Sequence, residues 1–269
     1  DGCNLACPQC LRSLDIIGDY EGHLNTRSRL SYEDVEAALD EGYQHGLPSV
    51  NIGGSGEGML HPDFLKICQA VMDRDVMEYR IATNGLRLNR DTAEALIDMQ
   101  VQMVSVSIDA FSPETFGKTR GKPHRYQQVV DNTLALLKLR QERGSIFPLV
   151  RVSFVNQPAN RHELQDFENF WSQHVDMVDI QGFHDFRSTD YNYDFDCMEP
   201  WIRMTLWADG HVGPCCGFPG IVLDIGSVRE TKLKEIWHGP KMQAIRQQLL
   251  DRKYDIACLK CMGVRSSDV

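Results

Sequence analysis

The sequence predicts an α/β protein, in which a parallel sheet with crossover helices is followed by a small cysteine-rich α+β unit. Strand-like and helix-like stretches alternate from residue 31 to residue 183, and Gly, Asn or Asp follows most of the strand-like stretches. Strand–helix units repeated at this interval are typical of parallel strands joined by right-handed crossovers. After residue 184 the sequence becomes polar and then rich in cysteine. We therefore expect a partial barrel over 1–183, a linker over 184–196 and a separate small domain over 197–269.

The first half of the predicted barrel begins with a helix capped at Ser31, and the short buried strand Ser49–Ile52 follows it. A second helix is expected over 63–74, because its apolar residues recur at helical spacing. The strand 79–82 stops at a Thr-Asn-Gly turn, and the next helix covers 91–100. Each strand is a short run of apolar residues ended by residues that favour turns.

The second half continues the alternation, with a strand that ends at Asp109, a long helix, and a later helix capped by Asn160. We expect a hairpin in the small domain, with the turn Ala208–His211 between its strands, and a last helix after it. The strands expected in this part of the chain cover 103–108, 149–155, 177–181 and 202–207. The helices expected there cover 126–143, 160–174 and 240–250.

The composition excludes several classes of function. The 269 residues carry 28 basic and 38 acidic side chains, a formal charge of −10, which disfavours a nucleic-acid groove. No apolar run approaches the ~18 residues of a membrane span, and no signal peptide is visible. Nine cysteines cluster near the two ends of the chain, so we expect metal ligation in a reducing cytoplasm rather than disulfides.

The most informative motif is Cys3-x3-Cys7-x2-Cys10. Three thiolates within eight residues can hold one face of an iron–sulfur cube and leave the fourth iron open for chemistry, as a catalytic metal keeps an open position. A zinc knuckle short of one ligand, or reduced cysteines that cluster by chance, are the alternatives. Because the loop begins before any strand, we expect a sixth strand, missing from this sequence, to precede it.

Loops at the carboxyl ends of the strands carry further candidates, since function gathers there in parallel α/β barrels. The glycine-rich loop Gly53-Gly54-Ser55-Gly56-Glu57 allows close backbone approach, and Glu57 can accept hydrogen bonds from an ammonium group. A phosphate-binding turn or a plain tight loop are the alternatives. The turn Thr83-Asn84-Gly85 and the alternating Ser105, Ser107 and Asp109 add small polar groups, although Asp109 or Ser112 can equally cap the next helix.

Together, the Cys3–Cys10 motif, the Gly53–Glu57 loop, the Thr83–Gly85 turn and Ser107-Ile108-Asp109 resemble the radical S-adenosylmethionine (radical SAM) enzymes over residues 1 to about 183. The resemblance implies a partial (β/α)6 TIM-like barrel, in which Cys3, Cys7 and Cys10 hold a 4Fe–4S cluster and S-adenosylmethionine chelates the open iron. It implies one-electron cleavage of that cofactor to a 5′-deoxyadenosyl radical, which abstracts a substrate hydrogen atom. Gly58 departs from the family, in which proline often follows the glutamate. The implied cofactor-binding residues are Gly53, Gly54, Ser55, Gly56, Glu57, Asn84, Ser107, Asp109, Arg151 and Ser153.

The C-terminal cysteines form a second set, Cys197-x17-Cys215 and Cys258-x2-Cys261. With the motifs around them, this set resembles the twitch/SPASM extensions of radical SAM enzymes, in the shorter twitch form. The resemblance implies four thiolates that close an auxiliary 4Fe–4S cluster, and a four-cysteine zinc site is the alternative. Because a fully ligated cluster has no iron free for substrate, its expected role is electron transfer. The motifs are Pro200-Trp201, Asp209-Gly210, Gly226-Ser227, Glu235-Ile236-Trp237 and Arg246.

Two cysteines lie outside both sets. Cys68 is expected to be a small core residue of its helix. Cys216 is a candidate donor of a hydrogen atom to a substrate radical, while packing or a spare ligand is the alternative role.

The resemblance predicts an oxidoreductase that dehydrogenates a small polar metabolite or a peptide side chain, with the auxiliary cluster as electron acceptor. A redox-neutral epimerase quenched by Cys216, or a peptide cross-linking enzyme, are alternatives with the same cofactor. A zinc-binding regulatory protein is an alternative of a different class. The expected partners are the substrate and a low-potential electron donor such as flavodoxin or ferredoxin, with neither nucleic acid nor a membrane.

Overall fold

A computed structural model describes residues 2–11, 28–54 and 56–263. The chain forms two compact units. Within the described ranges, residues 2–11 and 47–183 make up the sheet unit, and residues 28–46 and 184–263 make up the C-terminal unit. The helix after Ser31 was expected in the barrel, but it groups with the C-terminal residues. Among the described residues, no helix combines the length and apolar character that crossing a membrane requires.

The sheet unit is built on five parallel strands in the order β1-β2-β3-β4-β5, which confirms the predicted α/β class. Sequential strands are neighbours throughout, as expected where each strand is followed by a helical crossover. Their bounds differ from the sequence expectation by at most one residue at either end. They are β1 Ser49–Ile52, β2 Glu78–Thr83, β3 Met103–Ser107, β4 Leu149–Asn156 and β5 Met177–Gly182.

The two faces of the sheet differ in character. One face of β3 carries the fully buried Val104 and Val106, and the same face of β4 carries Val150, Val152 and Phe154. Because side chains alternate along a strand, the other face of β3 and β4 presents serine and arginine. The apolar face holds the core, and the polar face is free to build a site.

Five α-helices accompany this sheet in the part of the chain that the structure describes. Four were expected from the apolar spacing, and the fifth, α4, was not. The helix expected from Asn160 starts with a short 3₁₀ turn, and Asn160 does not cap it. Instead the buried Asn160 side chain donates to the carbonyls of Asp109 and Val155 at 3.0 and 2.9 Å. The helices are α2 Phe64–Met72, α3 Arg90–Asp98, α4 Pro113–Arg120, α5 Tyr126–Glu142 and α6 Leu164–Trp171.

Helix α4 has clear local determinants that the apolar pattern does not show. Ser112 is its N-cap and accepts from the Thr115 amide at 3.2 Å, while Pro113 occupies the first turn, where its missing N–H costs nothing. Glu163 fixes this start, since it accepts from the Phe111 amide at 2.6 Å and from the hydroxyls of Ser112 and Thr115. A left-handed glycine, Gly121, ends the helix.

The C-terminal unit contains helix α1 and a small antiparallel sheet. Strands β6 and β7 form the expected hairpin, and β8 extends it. Val212, Ile225, Ile236 and Met242 form its buried apolar cluster. The elements are α1 Tyr32–Gln44, α7 Glu199–Ile202, β6 Thr205–Leu206, β7 His211–Gly213, α8 Phe218–Val222, β8 Gly226–Ser227, α9 Leu233–His238, α10 Pro240–Leu250, α11 Ile256–Cys258 and a π-helical turn Leu259–Gly263.

Polar contacts join α1 to the rest of this unit. Glu41 accepts from the amides of Leu233 and Lys234, each at 2.9 Å, so its carboxylate lies at the otherwise uncapped N-terminus of α9. Asp34 pairs with Arg229 at 3.0 Å. These contacts explain why the helix after Ser31 belongs with the C-terminal residues.

Candidate functional site

The three N-terminal cysteines lie on a loop that the sheet unit holds at several points. The Gly2 carbonyl accepts from the Glu57 amide at 2.8 Å, and the Ala6 amide donates to the Arg120 carbonyl at 3.3 Å. Leu5 is buried and anchors the loop in the core. The loop is therefore attached both to the glycine-rich segment after β1 and to the C-terminus of α4.

Each end of the cysteine loop has a polar neighbour from the sheet unit. The Asn84 amide group lies 3.8 Å from Cys3 Sγ and donates to Asn4 at 2.7 Å. Arg120 Nη1 lies 4.0 Å from Cys7 Sγ. Burial raises the pKa of the Cys7 thiol, and the charge of Arg120 opposes part of that rise. Hydrogen bonds to sulfur are one means by which a protein tunes an iron–sulfur cluster, so the surroundings suit one.

The glycine-rich loop after β1 leaves part of its backbone accessible. A side chain at Gly53 would lie 2.6 Å from the Ala82 Cβ, so the close approach of β1 to β2 requires glycine there. At Gly54, by contrast, nothing lies within 4 Å of the position a Cβ would take. Ser55, expected in the same loop, lies outside the described residues. The Gly54 backbone is thus open to a ligand.

Glu57 is engaged within the chain, which differs from its expected role as a free acceptor. It is buried, and it accepts from the Asn84 amide at 2.7 Å, the Thr83 hydroxyl at 2.8 Å and the Met59 amide at 3.2 Å. Burial raises the pKa of Glu57, and these hydrogen bonds counteract the rise. In this structure Glu57 ties the end of β1 to the end of β2.

The polar face of the sheet brings the later candidates together. Ser153 pairs in register with Ser107, and their hydroxyls lie 3.4 Å apart. Arg151 donates to the Ser105 hydroxyl at 2.8 Å and forms an ion pair with Asp179 at 3.1 Å. Hydroxyl and guanidinium groups on one face suit the carboxylate and ribose of a nucleotide cofactor.

Asp109 does not share this arrangement. It is 2% exposed, accepts from the Val155 amide at 2.8 Å and forms an ion pair with Arg120 at 2.6 Å. Both carboxylate oxygens are thereby used inside the protein, so Asp109 holds a neighbouring arginine where direct contact with a cofactor was expected. Sequence reasoning missed Arg120, although Ser112-Pro113 and Gly121 mark the start and end of its helix.

The four C-terminal cysteines converge in the C-terminal unit, although 64 residues separate the first from the last. Cys258 and Cys261 each interact electrostatically with Cys197, and Cys215 interacts with both of them. Gly217 lies against Cys261, because an added Cβ would be 2.8 Å from its sulfur. Cys197, Cys215, Cys258 and Cys261 are therefore near one another in the folded chain, and Cys216 also lies near Cys215 and Cys261.

Backbone amides point at three of these sulfurs. Cys197 accepts from the Glu199 amide, Cys215 from that of Gly217 and Cys261 from that of Phe218. Burial raises the pKa of the Cys215 and Cys258 thiols to about 12 and that of Cys261 to about 11. Buried thiols that already hold N–H donors suit a bound cluster, which requires their thiolate forms.

Two other cysteines have different surroundings. Cys216 is exposed, with its sulfur 3.6 Å from Glu199 and 3.7 Å from Arg203, which form an ion pair with each other. Cys68 is fully buried in α2, as expected for a core residue. In the described ranges, no three His, Cys, Asp or Glu side chains are arranged to hold a single metal ion.

Comparison with protein families gives two matches. Residues 1–152 match the radical SAM superfamily, and residues 197–262 match an iron–sulfur cluster-binding domain, SPASM. A 4Fe–4S cluster, S-adenosylmethionine and further iron–sulfur clusters are the cofactors of these two domains. The residues present fit them, because side-chain N–H groups lie near the sulfurs of Cys3 and Cys7. Backbone amides donate to Cys197, Cys215 and Cys261 in the second set. The protein is therefore an enzyme with iron–sulfur domains, and the alternative of a zinc-binding regulatory protein is set aside.

Similar proteins agree with this assignment. The probable GTP 3′,8-cyclase of Methanocaldococcus jannaschii is 27% identical over 169 residues, covering 62% of this chain and 51% of its own. Other GTP 3′,8-cyclases also match, and the chain spans about half the length of the curated relatives it matches.

Two solved structures have the same fold. BtrN in complex with AdoMet and 2-DOIA has a TM-score of 0.62 at 15% identity, covering 99% of this chain and 91% of its own. Native anSMEcpe with bound AdoMet and Kp18Cys peptide has a TM-score of 0.62 at 14% identity, covering 90% of this chain and 79% of its own. On the family match over more than half of its length, this chain belongs to the radical SAM superfamily.

Proposed function

We propose that the protein is a radical SAM oxidoreductase that dehydrogenates a small polar metabolite or a peptide side chain. The sheet unit acts as the barrel that generates the radical, residues 184–196 act as a linker, and residues 197–269, to which helix α1 is joined, act as an auxiliary electron-transfer domain of the twitch/SPASM type. A low-potential donor such as flavodoxin or ferredoxin delivers the first electron. The product is the substrate with two hydrogen atoms fewer.

Cys3, Cys7 and Cys10 hold the first cluster in this proposal. When bound, the cluster and S-adenosylmethionine supply one-electron cleavage of the sulfonium and a radical that abstracts a hydrogen atom. The backbone after Gly53 receives the amino group of the cofactor, and Glu57 keeps that segment in place through its three hydrogen bonds.

The polar face of the sheet receives the rest of the nucleotide. Ser107, Arg151 and Ser153 supply hydroxyls and a positive charge for its ribose and carboxylate. Asn84 contacts Cys3 and so acts on the cluster side of the site. Asp109 contributes by holding Arg120.

The observation that carries the oxidative assignment is the convergence of four auxiliary cysteines, Cys197, Cys215, Cys258 and Cys261. Four thiolates leave no iron open to substrate, just as a four-ligand zinc site is structural rather than catalytic. A closed cluster can still accept an electron. Dehydrogenation needs such an acceptor, because hydrogen abstraction leaves a radical that must lose one electron and one proton.

Three other reactions are tested by the same experiment. The curated relatives are GTP 3′,8-cyclases, which makes GTP a substrate to include. A redox-neutral epimerase would use the exposed Cys216 as hydrogen donor, and its product would have the mass of the substrate. Peptide cross-linking would join two groups of one peptide.

The first step of the test is cofactor cleavage. Anaerobically reconstituted protein with a strong reductant should release 5′-deoxyadenosine and methionine from S-adenosylmethionine. Cys7→Ala should abolish this, whereas Cys68→Ala, which removes a buried thiol of α2, should retain it. Cleavage that persists in Cys7→Ala would contradict the ligand assignment.

The second step identifies the reaction. The protein is incubated in deuterated solvent with one candidate substrate at a time: an amino sugar, a Cys- or Ser-containing peptide, or GTP. The masses of the products are measured by mass spectrometry. Loss of two hydrogens supports the proposal where fragmentation of the product places the new double bond within one residue or sugar. A bond between two residues removes two hydrogens as well and would instead establish cross-linking. Solvent deuterium in a product that Cys216→Ala cannot form would instead establish the epimerase, and conversion of GTP alone would establish cyclisation.

A further inference from the structure

A buried arginine lies directly beside the cysteine loop. Arg120 Nη2 pairs with the Asp109 carboxylate at 2.6 Å, and its Nη1 lies 4.0 Å from Cys7 Sγ. The arginine side chain is 13% exposed and the aspartate side chain 2%. A guanidinium thus stands between a buried carboxylate and one of the three N-terminal sulfurs.

The charge of this arginine is retained despite its burial. Taking a cation out of water is costly unless a partner compensates it. The Asp109 carboxylate is that partner for Arg120, at 2.6 Å.

The third nitrogen of the guanidinium is also informative. Arg120 Nε is buried, and no group in the described part of the chain accepts from it. Buried N–H donors are almost always paired in folded proteins. An unpaired donor next to Cys7 is consistent with an acceptor that the chain does not supply, such as a group bound by the cysteines.

The backbone of the same residue holds the loop. The Arg120 carbonyl accepts from the Ala6 amide at 3.3 Å, and Cys7 Sγ lies 3.9 Å from that carbonyl. The side chain and the main chain of one residue therefore fix both the position of Cys7 and the charge beside it.

We propose that Arg120 is a positioning residue of the N-terminal cluster, held by Asp109 against Cys7, and that its positive charge raises the reduction potential of that cluster. The proposal rests on the proposed role of Cys7 as a cluster ligand. Reduction adds one negative charge to the cluster, so a fixed nearby cation stabilises the reduced form more than the oxidised form. Asp109 opposes this effect, from a greater distance.

A matched pair of double variants isolates the charge. Asp109→Asn/Arg120→Lys and Asp109→Asn/Arg120→Gln both lack the buried carboxylate, and they differ in whether position 120 is charged. The midpoint potential is measured by EPR-monitored redox titration of the cluster whose signal changes on addition of S-adenosylmethionine. We expect the Gln variant to be harder to reduce by roughly tenfold in the equilibrium constant, or ~59 mV for one electron.

Single variants complete the pattern. Asp109→Asn should make the cluster easier to reduce than in the wild type, because the field of Arg120 is then uncompensated. Arg140→Gln is the control for loss of a buried arginine, since Arg140 pairs with Asp176 at 2.6 Å next to the Val150 amide, at the amino end of β4. It should leave the potential unchanged.

The outcomes separate this inference from the proposed function. Equal potentials in the two double variants, with full iron content and normal cofactor cleavage, would overturn the charge role and leave the enzyme assignment intact. If the Gln variant loses the iron of this cluster while the Lys variant keeps it, the charge is needed for binding, which also supports the proposal. Equal loss of iron in both would show a purely steric role and overturn it. A wild-type protein without any cluster would instead contradict the proposed function.

Discussion

Substituting Gly121 by alanine is expected to displace the cysteine loop. Gly121 ends α4 with φ +78°, and an added Cβ would lie 2.3 Å from the Ala6 carbonyl oxygen and 2.8 Å from its carbon. Both neighbours are backbone atoms, so no side chain can rotate away. Ala6 precedes Cys7 directly, and any shift of Ala6 is passed on to that cysteine.

The expected magnitude has two parts. A left-handed conformation costs an alanine about 1–2 kcal/mol, and overpacking against backbone adds about 1–3 kcal/mol. To restore even a 3.0 Å contact from 2.3 Å, Ala6 must move by roughly 0.7 Å. That exceeds the ~0.5 Å within which a binding constellation must be held. We therefore expect the N-terminal cluster to be lost while the fold survives.

Gly46→Ala is the matched control, because Gly46 has φ +79° and nothing within 4 Å of its added Cβ. Urea unfolding should show a lower free energy of unfolding for both variants. For Gly46→Ala the loss should be only the ~1–2 kcal/mol that the left-handed conformation costs. After anaerobic reconstitution, Gly121→Ala should hold about half of the wild-type iron and should not cleave S-adenosylmethionine. Wild-type iron and cleavage in Gly121→Ala, or equal losses in Gly46→Ala, would refute the reasoning.

Two further predictions concern the C-terminal unit and the start of α4. Gly220→Ala places a Cβ 1.9 Å from the Cys215 carbonyl oxygen. This variant should lose the iron of the auxiliary cluster, yet it should still cleave S-adenosylmethionine without forming product. Gly182→Ala, with open space around its added Cβ, should keep both the iron and the cleavage, and full iron in Gly220→Ala would contradict the prediction. Burial alone would raise the pKa of Glu163, but hydrogen bonds from the residues that begin α4 hold it below its ordinary value. Its stabilisation is therefore present above the unfolded pKa of about 4.3 and lost as the pH falls through the folded pKa. Glu163→Gln should be less stable than the wild type by about 1 kcal/mol at pH 7. Urea unfolding should show that this difference in the free energy of unfolding becomes smaller in acid. A difference that does not change with pH would argue against the prediction.

The strands of the sheet could be predicted because each is marked by a pattern of residues that are close together in the sequence. The strands carry β-branched and other apolar residues at alternating positions, such as Val104 and Val106, and residues that favour turns follow them. Parallel strands buried against helices need such apolar residues. The Cys3–Cys10 and Cys258–Cys261 spacings were equally visible, since the ligands of each group are close along the chain.

Helix α4 escaped prediction for a physical reason. Its sequence, Pro-Glu-Thr-Phe-Gly-Lys-Thr-Arg, has one large apolar residue and includes Gly and Thr, which are poor helix formers. Its stability comes from its ends, through Ser112, Glu163 and Gly121, and from packing of Phe116, which is fully buried. Periodicity does not report contributions of this kind.

By itself the sequence determined the α/β class, the family and the residue types of both cysteine sets, because these depend on short-range pattern and spacing. Only the tertiary structure decided that Glu57 and Asp109 are engaged inside the protein, that helix α1 belongs with the C-terminal residues, and that Arg120 lies beside Cys7, 113 residues away. Partners so distant along the chain are brought together by the packing of whole strands and helices. Which charges and donors surround a sulfur is therefore a property of the folded chain.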